Sequence, residues 1–408
     1  MRQKCFLSVL LVLLCLLSGC SHAVSADISV VKTEITAYFS TLFDTVAENI
    51  SVRTLEDSFA HIEEPAFVDW TVYRAYYEEL TEKEKLAYRC IYNQIFAQPE
   101  RIAVPWLKTD ELDAVFSALS NDNPHILFMD DEAVLLTAGM QCYFVPSYTV
   151  TYRRAQEITE KTVAAARELS AVAPENATEY EVLLAAHDAL LDNCVYANTD
   201  DAAQCSSALL NAEANCSGYA DALKLMLDMA GVHSCVVTGY ASAADEAAQS
   251  HMWLAVNTDG IWSFCDPTWD DPVSADGTQS VEHTYFCVDE AYLSKTHSDI
   301  TMPRFIVCNT PQTDYYRMHN LFCTADDYEH VLSDGIAAAL RDGKTQAEFR
   351  FDVLQTLHTA CAYLFDEQQV YVLLSENEWQ SPTLVTDRIR YSANEERLIL
   401  KLIFSFEE

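Results

Sequence analysis

The chain has 408 residues, of which 50% are apolar and 11% aromatic, so it is long enough for two or three domains with sizeable cores, and bulk disorder is not expected. Its formal net charge of −37 argues against binding of nucleic acid or anionic lipid head groups through a basic surface. Glycine is scarce, at 9 residues, and no GxxxxGK[ST] or GxGxxG pattern occurs, so a glycine-rich nucleotide-binding loop is not expected.

The N-terminus has the pattern of an export signal rather than of a folded element. Basic residues precede a 12-residue apolar run (6–17) that is too short to span a bilayer as a stable helix. The run leads into Leu-Ser-Gly-Cys at 17–20, which resembles the lipobox of bacterial lipoproteins. This resemblance implies that residues 1–19 are a lipoprotein signal peptide and that Cys20 carries lipid after cleavage. An ordinary secretory signal that ends in a chance cysteine is the alternative.

A lipid on Cys20 implies that the chain is anchored to the bacterial cell membrane on its extracytoplasmic face. Besides Cys20 and two cysteines in the signal, eleven of the 14 cysteines remain, and they form no CxxC pair and no Cys/His set at zinc spacing. The sequence therefore predicts neither a metal nor a cofactor. If these cysteines pair, their odd number leaves at least one free thiol, and the spacing does not indicate which pairs form.

Residues 20–175 are predicted to form a mostly helical region with a small β element. Thr81 and Glu84 form a capping box at the start of one helix, and Thr109 is a plausible N-cap for another. Pro146 indicates that its strand lies at an edge or carries a bulge. The elements predicted here are helices at 27–50, 81–96, 109–122 and 154–173, and strands at 125–129 and 141–152.

Residues 176–308 carry the candidate chemistry, and 309–408 are predicted to form a small α+β domain without a catalytic motif. The C-terminal pattern is helix, strand, helix, followed by two apolar runs, 369–374 and 397–404, that are typical of strands. In the central region the predicted elements are helices at 179–196 and 216–230 and antiparallel strands at 234–240, 251–256 and 261–266.

Cys216 lies at the predicted start of an amphipathic helix that Gly231 would end. The unpaired backbone N–H groups at a helix N-terminus favour thiolate over thiol, which suits a nucleophile if a base lies nearby. A buried cysteine is more often inert, so this position alone favours packing.

His251 and Asp266 lie in two apolar segments around the turn Asn-Thr-Asp-Gly (257–260), which is typical of a β-hairpin. If Thr258 and Asp259 are the central turn residues, His251 lies opposite Asp266. If the central residues are Asp259 and Gly260, Asp266 lies opposite the residue two positions after His251, on the same face. Either register places the histidine and the aspartate within reach, unless a bulge intervenes. Cys216 is then a candidate nucleophile, His251 its base, and Asp266 the group that orients the imidazole.

Three segments together resemble the motifs of the transglutaminase-like domain, which has a papain-like fold. They are NCSGYADALKLMLDMAGV, SHMWLAV and SFCDPTWDDP, which contain Cys216, His251 and Asp266. The resemblance covers about 180–300 and implies an α+β core in which the cysteine-bearing helix packs on an antiparallel sheet. It implies the roles of nucleophile, base and orienting group for the same three residues. One departure is Met252, where family members often have alanine.

Several further residues near the motifs are candidates for the substrate cleft, namely Tyr219, Trp253 and Trp269, although core packing is the more common use of such aromatic residues. The backbone N–H of Cys216 is the best candidate for stabilising an oxyanion, with Asn211 and Asn215 as open alternatives for a second donor. The adjacent Asp270 and Asp271 are interpreted as a solvated turn.

The expected activity is acyl transfer through a thioester on amide bonds of proteins or peptides, which include cell-wall peptides. Hydrolysis and transamidation remain open, because water or an amine can resolve the thioester. A non-catalytic interaction or assembly lipoprotein with the same fold is the alternative. A papain-like wall peptidase with basic wall-binding repeats fits less well, because no such repeat occurs and the chain is acidic.

Overall fold

The computed structural model describes residues 27–139, 141–243, 247–271, 281–377, 384–385 and 389–406. The predicted signal peptide and Cys20 lie outside the described residues. Within these ranges, no helix combines the length and the apolar character needed to cross a membrane. The eleven cysteines of the described part form no disulfide bond.

Helices occur in all three predicted regions. In chain order they are α1 (Asp27–Glu56), α2 (Ala75–Glu79), α3 (Glu82–Ile95), α4 (Thr109–Asp122), α5 (Tyr152–Ser170), α6 (Glu179–Asn193), α7 (Cys205–Asn211), α8 (Cys216–Ala230), α9 (Glu290–Leu293), α10 (Tyr315–Met318), α11 (Tyr328–Arg341), α12 (Leu354–Cys361) and α13 (Gln369–Asn377). A 3₁₀ turn (Asp200–Ala203) precedes α7, and a π turn (Ala362–Asp366) follows α12.

The strands form four sheets. In chain order they are β1 (Ile102–Val104), β2 (Met129–Ala138), β3 (Gln141–Tyr148), β4 (Val195–Tyr196), β5 (Glu213–Ala214), β6 (Ser234–Ala241), β7 (Gln249–Thr258), β8 (Ile261–Cys265), β9 (His297–Thr301), β10 (Phe322–Cys323), β11 (Gln346–Phe351), β12 (Arg390–Asn394) and β13 (Ile399–Ile403). The N-terminal sheet has the order β1-β3-β2, the central sheet β8-β7-β6-β9 and the C-terminal sheet β10-β11-β13-β12, while β4 pairs with β5.

The central region is an antiparallel sheet against which the cysteine-bearing helix α8 packs. One face of the sheet and the buried face of α8 share a single apolar cluster, in which Leu223, Met226, Val236 and Leu254 are fully buried. Within α8 the buried residues Tyr219, Leu223 and Met226 recur at three- and four-residue spacing, which explains why this segment forms a helix with one buried face. Gly231 ends the helix with φ of 78°, the left-handed conformation that glycine adopts without strain.

A buried ion pair joins the N-terminal region to α8. The Nζ of Lys224 lies 3.1 Å from the carboxylate of Asp228 and donates to the carbonyl of Tyr73 at 3.1 Å. Asp228 also accepts the N–H of Tyr73, and Asp122 accepts the N–H groups of Tyr76 and its neighbour. Burial is tolerated because the charges and the backbone donors satisfy each other. The N-terminal region is thereby fixed to the back of the site-bearing helix.

The N-terminal predictions are mostly confirmed, with two corrections. The capping box of Thr81 and Glu84 is present. Thr109 is not an N-cap but the first residue of α4, because Glu111 accepts from the N–H of Lys108 instead. The segment 125–129 is a turn that leads into β2 rather than a strand, and its apolar residues pack into the core.

Two further predictions concern strands with unusual residues. Pro146 does lie beside a bulge, but its strand β3 is the middle one of its sheet. The proline is tolerated because the pairing of β1 with β3 stops at Phe144, so no β1 residue lies opposite Pro146. The segment 369–374 lies in α13 instead of a strand. Its buried residues Val370, Leu373 and Leu374 follow helical spacing, which the β-branched and aromatic composition obscured.

Candidate active site

Cys216 is the first residue of α8, as the motif predicted. Asn215 is the N-cap, and its side-chain oxygen accepts the N–H groups of Ser217 and Gly218 at 3.0 and 3.3 Å. Two residues further along, Gly218 has no room for a side chain, because a Cβ there would lie 2.3 Å from the carbonyl oxygen of Ala202. The glycine therefore lets the helix start approach the preceding turn closely, and this packing fixes where the thiol lies.

The hairpin β7–β8 adopts the second of the two predicted registers. Thr258 pairs with Ile261, so the central turn residues are Asp259 and Gly260, both with positive φ. Such Asp-Gly turns match the twist of the flanking strands, which explains why this register wins. The Nε2 of His251 lies 2.7 Å from Oδ2 of Asp266, so the diagonal partners are within hydrogen-bonding distance, as this register requires.

The carboxylate of Asp266 is fully buried and makes four hydrogen-bonding contacts. Its Oδ2 also lies 3.0 Å from Nε2 of His297 in β9, while its Oδ1 accepts the N–H groups of Thr268 and Trp269 at 3.0 and 3.3 Å. Because both oxygens are held, the aspartate has one fixed orientation. With Nε2 of His251 committed to it, Nδ1 of the same ring is left for the thiol.

The electrostatics of this group favour a charged histidine next to a charged thiolate. Burial by itself would lower the pKa of His251, but the charge and hydrogen bond of Asp266 outweigh it and raise that pKa to about 10. Burial by itself would raise the pKa of Cys216, but the hydrogen bond and charge of His251, helped by the N–H of Met252, lower it. The pKa of Asp266 is held well below its usual range, because both histidines outweigh the effect of its burial.

The thiol and imidazole open onto a cleft of about 350 Å³. Trp269 lines this cleft, as predicted. Trp253 does not, because it is fully buried behind His251, with ring centroids 5.8 Å apart. Tyr219 does not line it either, since it is fully buried and its hydroxyl donates to Asp271. The residues that line the cleft are Tyr196, Cys216, Ala241, Ser242, Ala243, Ala247, Gln249, Ser250, His251, Thr268, Trp269, Asp271 and Arg397.

The N–H of Cys216 is the donor best placed to face a developing oxyanion. Since Asn215 caps the two following N–H groups, that of Cys216 has no hydrogen-bond partner in the part of the chain that the structure describes. Of the alternatives for a second donor, Asn215 serves as the helix cap, and Asn211 is exposed at the end of α7, outside the lining of the cleft.

Asp270 and Asp271 do not form a solvated turn, because both are buried. Asp270 accepts the N–H of Tyr285 at 2.8 Å and lies 3.4 Å from Nε2 of His187. Burial by itself would lower the pKa of His187, but the hydrogen bond to Asp188 and the negative charges of Asp188 and Asp270 outweigh it and raise the pKa to about 9. The segment 266–271 thus ties the β7–β8 hairpin to helix α6.

Two sets of side chains have donor atoms close enough for a metal ion, with all distances below 4.8 Å within each set. One is His251, Asp266 and His297, and the other is His187, Asp188 and His283. In each set the contacts between ring nitrogens and one shared carboxylate oxygen already explain the arrangement as hydrogen bonds. The absence of a metal or cofactor stays a prediction.

Sequence reasoning missed three residues of this region. His297 comes from β9 and Arg397 from the turn between β12 and β13, far along the chain from the motifs. Tyr196 in β4 lines the cleft from the other side. No spacing rule links an isolated residue to a motif in another element, so the sequence offered no signal for them.

A family model described as the transglutaminase-like superfamily matches residues 164–267, which include Cys216, His251 and Asp266. No curated protein of similar sequence was found.

Several solved structures are similar over part of the chain. A TGase aligns with 40% of this chain and 48% of its own, at 15% identity and a TM-score of 0.25. A protein from Cytophaga hutchinsonii, provisionally named a cysteine protease, aligns with 34% of this chain and 61% of its own, at 13% identity and a TM-score of 0.23. A provisionally named protease from Parabacteroides distasonis aligns with 37% of this chain and 40% of its own, at 16% identity and a TM-score of 0.22.

This chain therefore spans about half the length of the TGase that it matches. The global scores are low, so the assignment depends on the sequence match and on the helix-on-sheet core. The α+β, papain-like fold predicted for the core is confirmed. Residues 164–267 are similar to the transglutaminase-like superfamily.

Proposed function

We propose that this protein is an acyl-transfer enzyme that cleaves amide bonds of proteins or peptides through a thioester on Cys216. The observation that carries the proposal is the thiol at a helix N-terminus, beside a histidine that a buried aspartate holds at 2.7 Å, at the wall of an open cleft. The lowered pKa of Cys216 supports the same role, since the thiolate is the nucleophile.

In the first half-reaction the thiolate of Cys216 attacks the amide carbonyl carbon. The oxygen takes the negative charge near the N–H of Cys216, at the positive end of the α8 dipole. The C–N bond then breaks, and the imidazolium of His251 gives its Nδ1 proton to the leaving amine. Asp266 keeps the ring oriented and stabilises its charged form.

In the second half-reaction a water molecule or an amine attacks the thioester. Neutral His251 takes a proton from the attacking group, and the C–S bond breaks so that Cys216 leaves as the thiolate. Attack by water releases a carboxylic acid, whereas attack by an amine releases a new amide. Both outcomes use the same residues, so the described geometry does not favour hydrolysis over transamidation.

We also propose that the enzyme works outside the cell, anchored by lipid on Cys20 to the bacterial cell membrane. The support is the lipobox-like sequence at 17–20. In that place the accessible amides belong to surface proteins and cell-wall peptides, and the chain's net charge of −37 disfavours nucleic acid as a partner.

The test is the rate of alkylation of Cys216 by iodoacetamide against pH, with the modified peptide identified by mass spectrometry. Wild type should already react at its plateau rate below neutral pH, and His251→Ala should lose that reactivity. His283→Ala is the matched control, because it removes a histidine that contacts a different aspartate. Cys361, which is also partly exposed and whose pKa burial raises, serves as an internal reference within each sample.

A Cys216 thiol that reacts no faster than Cys361 at pH 6 would overturn the proposal. The same fold would then serve the alternative, a non-catalytic interaction or assembly lipoprotein. If His283→Ala lowers the rate as much as His251→Ala does, the effect is a general loss of structure, and the specific pair is refuted.

A further inference from the structure

Among the described residues of the C-terminal region, one cation lies at the cleft of the transglutaminase-like domain. Arg397 belongs to the turn 395–398 between β12 and β13, and it lines the same cleft as Cys216 and His251. This turn lies outside the family match at 164–267, so the match itself does not include Arg397.

The turn holds the backbone of Arg397 in place from two sides. Its N–H donates to the side-chain oxygen of Asn394 at 3.0 Å, within the hairpin. Its carbonyl accepts the hydroxyl of Tyr292 at 3.1 Å, from the central region. A residue fixed through both backbone groups projects its side chain from a defined point, which limits the entropy lost when the side chain binds a ligand.

The guanidinium of Arg397 lies against aromatic rings of the site rather than against an acid. Its Cζ is 5.4 Å from the ring centroid of Trp269 and 5.4 Å from that of Tyr285. The ring of Trp269 also lies 6.0 Å from that of His251. Trp269 thus contacts both the candidate base and the cation. Stacking on the ring faces leaves the N–H donors at the edge of the guanidinium available.

Arg397 is a partly buried arginine in a strongly acidic chain. Among the described residues Arg397 forms no ion pair, whereas Arg74 pairs with Glu64 and Arg350 pairs with Asp314. The sequence has 62 acidic against 25 basic residues, so unpaired carboxylates are abundant and cations are scarce. A cation without an acidic partner at the wall of a cleft attracts anionic ligands to that cleft.

Among the described residues, three acidic residues line the two cavities that Arg397 borders, and each has another partner. Asp271 lines the cleft and accepts the hydroxyl of Tyr219. Glu282 and Glu348 line an adjoining cavity that Arg397 also borders, but the Nζ of Lys401 lies 2.8 Å from each of them. Lys401 is therefore the counter-charge for that pair of glutamates.

We propose that Arg397 is a specificity residue that binds a carboxylate on the acyl donor, close to the amide that Cys216 attacks. The inference rests on the proposed acyl-transfer function and deepens it by naming the substrate class, which is acidic peptides. Arginine suits this role because its planar donors bind a carboxylate in a bidentate manner. The carboxylate is either an acidic side chain or a free C-terminus.

The test compares an anionic and a neutral alkylating reagent on Cys216. In both reactions the thiolate forms an S–C bond and iodide leaves, so iodoacetate differs from iodoacetamide mainly in its carboxylate. Arg397→Met should lower the ratio of the iodoacetate rate to the iodoacetamide rate about fivefold at low salt, through loss of one nearby charge. Arg397→Lys should keep most of the ratio.

Arg390→Met is the matched control, because it removes the same charge from an exposed position in β12, outside the cleft. It changes the net charge equally, so any effect of the overall field cancels. An equal ratio in Arg397→Met and Arg390→Met overturns the inference. The iodoacetamide rate is the separate check on function, since a slow rate in wild type refutes the proposed nucleophile and, with it, the specificity role that rests on it.

Three iodoacetyl reagents then identify the source of the carboxylate. They are iodoacetyl-glutamate amide, iodoacetyl-glutamine with a free carboxylate, and iodoacetyl-glutamine amide. Faster labelling by the first or the second reagent, relative to the third and dependent on Arg397, assigns a side-chain or a terminal carboxylate respectively. Equal labelling rates with all three reagents would contradict the proposal.

Discussion

The central region contains two clusters in which one aspartate oxygen contacts two histidine nitrogens. Asp266 contacts His251 and His297 at 2.7 and 3.0 Å, and Asp188 contacts His187 and His283 at 3.0 and 2.8 Å. The side chain of Asp266 is fully buried, whereas that of Asp188 is 38% exposed. The two clusters lie at the two ends of one short segment, since Asp270 four residues after Asp266 contacts the second.

The comparison shows that a histidine–aspartate contact alone does not make a candidate active site. The first cluster has a thiol at a helix N-terminus next to it and an open cleft in front of it. The second has helix α6 on one side and the ring of Tyr315 stacked 3.9 Å from His283 on the other. The second cluster is therefore interpreted as a structural link between α6 and the segment that contains Asp266 and Asp270. Substitutions in the two clusters should distinguish this structural role from a role at the active site.

The largest effect is expected for Asp266→Asn. The amide has the same shape but no charge, so the pKa of His251 falls and that of Cys216 rises towards its value as a free thiol. A free thiol with a pKa near ~8.5 is only about 0.3% ionised at pH 6, so iodoacetamide labelling of Cys216 at pH 6 should slow about a hundredfold. At pH 9.5 the rates of variant and wild type should differ only severalfold.

Asp188→Asn is the control in the second cluster, and labelling of Cys216 should stay within about twofold of wild type, since the charge lies outside the reactive group. Equal losses in both variants would show that the two clusters act as one unit. A loss in Asp266→Asn that persists unchanged at pH 9.5 would point to misfolding instead of a changed pKa.

His187 of the second cluster should make the unfolding free energy depend on pH between about pH 6.5 and 9. The pKa of His187 is about 9 in the folded protein against about 6.5 ordinarily. A raised folded-state pKa contributes stability that is complete below pH 6.5 and is lost as the pH rises through 9. His187→Gln removes this contribution, so the gap in unfolding free energy between wild type and variant should narrow by about 3 kcal/mol from pH 6 to 9.5.

The measurement is the thermal midpoint of both proteins at pH 6 and pH 9.5, followed by tryptophan fluorescence. His251 titrates in both proteins and cancels in the difference. Midpoints that fall in parallel would mean that His187 is neutral in the folded state, and the tie would then depend on packing alone.

A smaller effect is expected for His297→Phe. The phenyl ring fills the same buried space but gives Asp266 no donor, so the carboxylate loses one of its four hydrogen-bonding contacts and becomes less firmly oriented. Labelling of Cys216 at pH 6 should slow about fivefold, which is the size of one charge-assisted hydrogen bond acting through a neighbour. His283→Phe is the matched control and should leave the labelling rate unchanged. A loss of labelling in His283→Phe alone would reverse the assignment of the two clusters.

How much of this site could be predicted from the sequence depends on the distance over which each signal acts. The cysteine at the helix start, the capping residues and the Asp-Gly turn are local, and the two-residue period of a hairpin brings His251 and Asp266 within reach of each other. These local rules left two registers open, and positive φ at Asp259 and Gly260 decides between them.

The rest depends on tertiary contacts that no local rule encodes. His297 reaches Asp266 because β9 pairs with β6, and Arg397 reaches the cleft because a hairpin of the C-terminal region docks there. Trp253 and Trp269 each lie two or three residues after a candidate site residue, yet one is buried and the other lines the cleft. The segment 369–374 shows the same limit, because its β-favouring residues form a helix once three of them can be buried together.

The smallest effect is expected at the outer end of the first cluster. The Thr296 hydroxyl lies 2.9 Å from Nδ1 of His297 and 3.1 Å from the hydroxyl of Tyr285, so it fixes which nitrogen of His297 faces Asp266. Thr296→Val should slow labelling of Cys216 at pH 6 only about twofold, because the lost bond acts through two intermediates. Thr258→Val is the matched control, since its buried hydroxyl has no partner among the described residues and its loss should leave the rate unchanged. Equal labelling rates for wild type and both variants would mean that the residues affecting Cys216 extend no further than His297. If Thr296→Val instead lowers the rate as much as His297→Phe does, the orientation of the His297 ring, and not only its presence, holds Asp266 in place for His251.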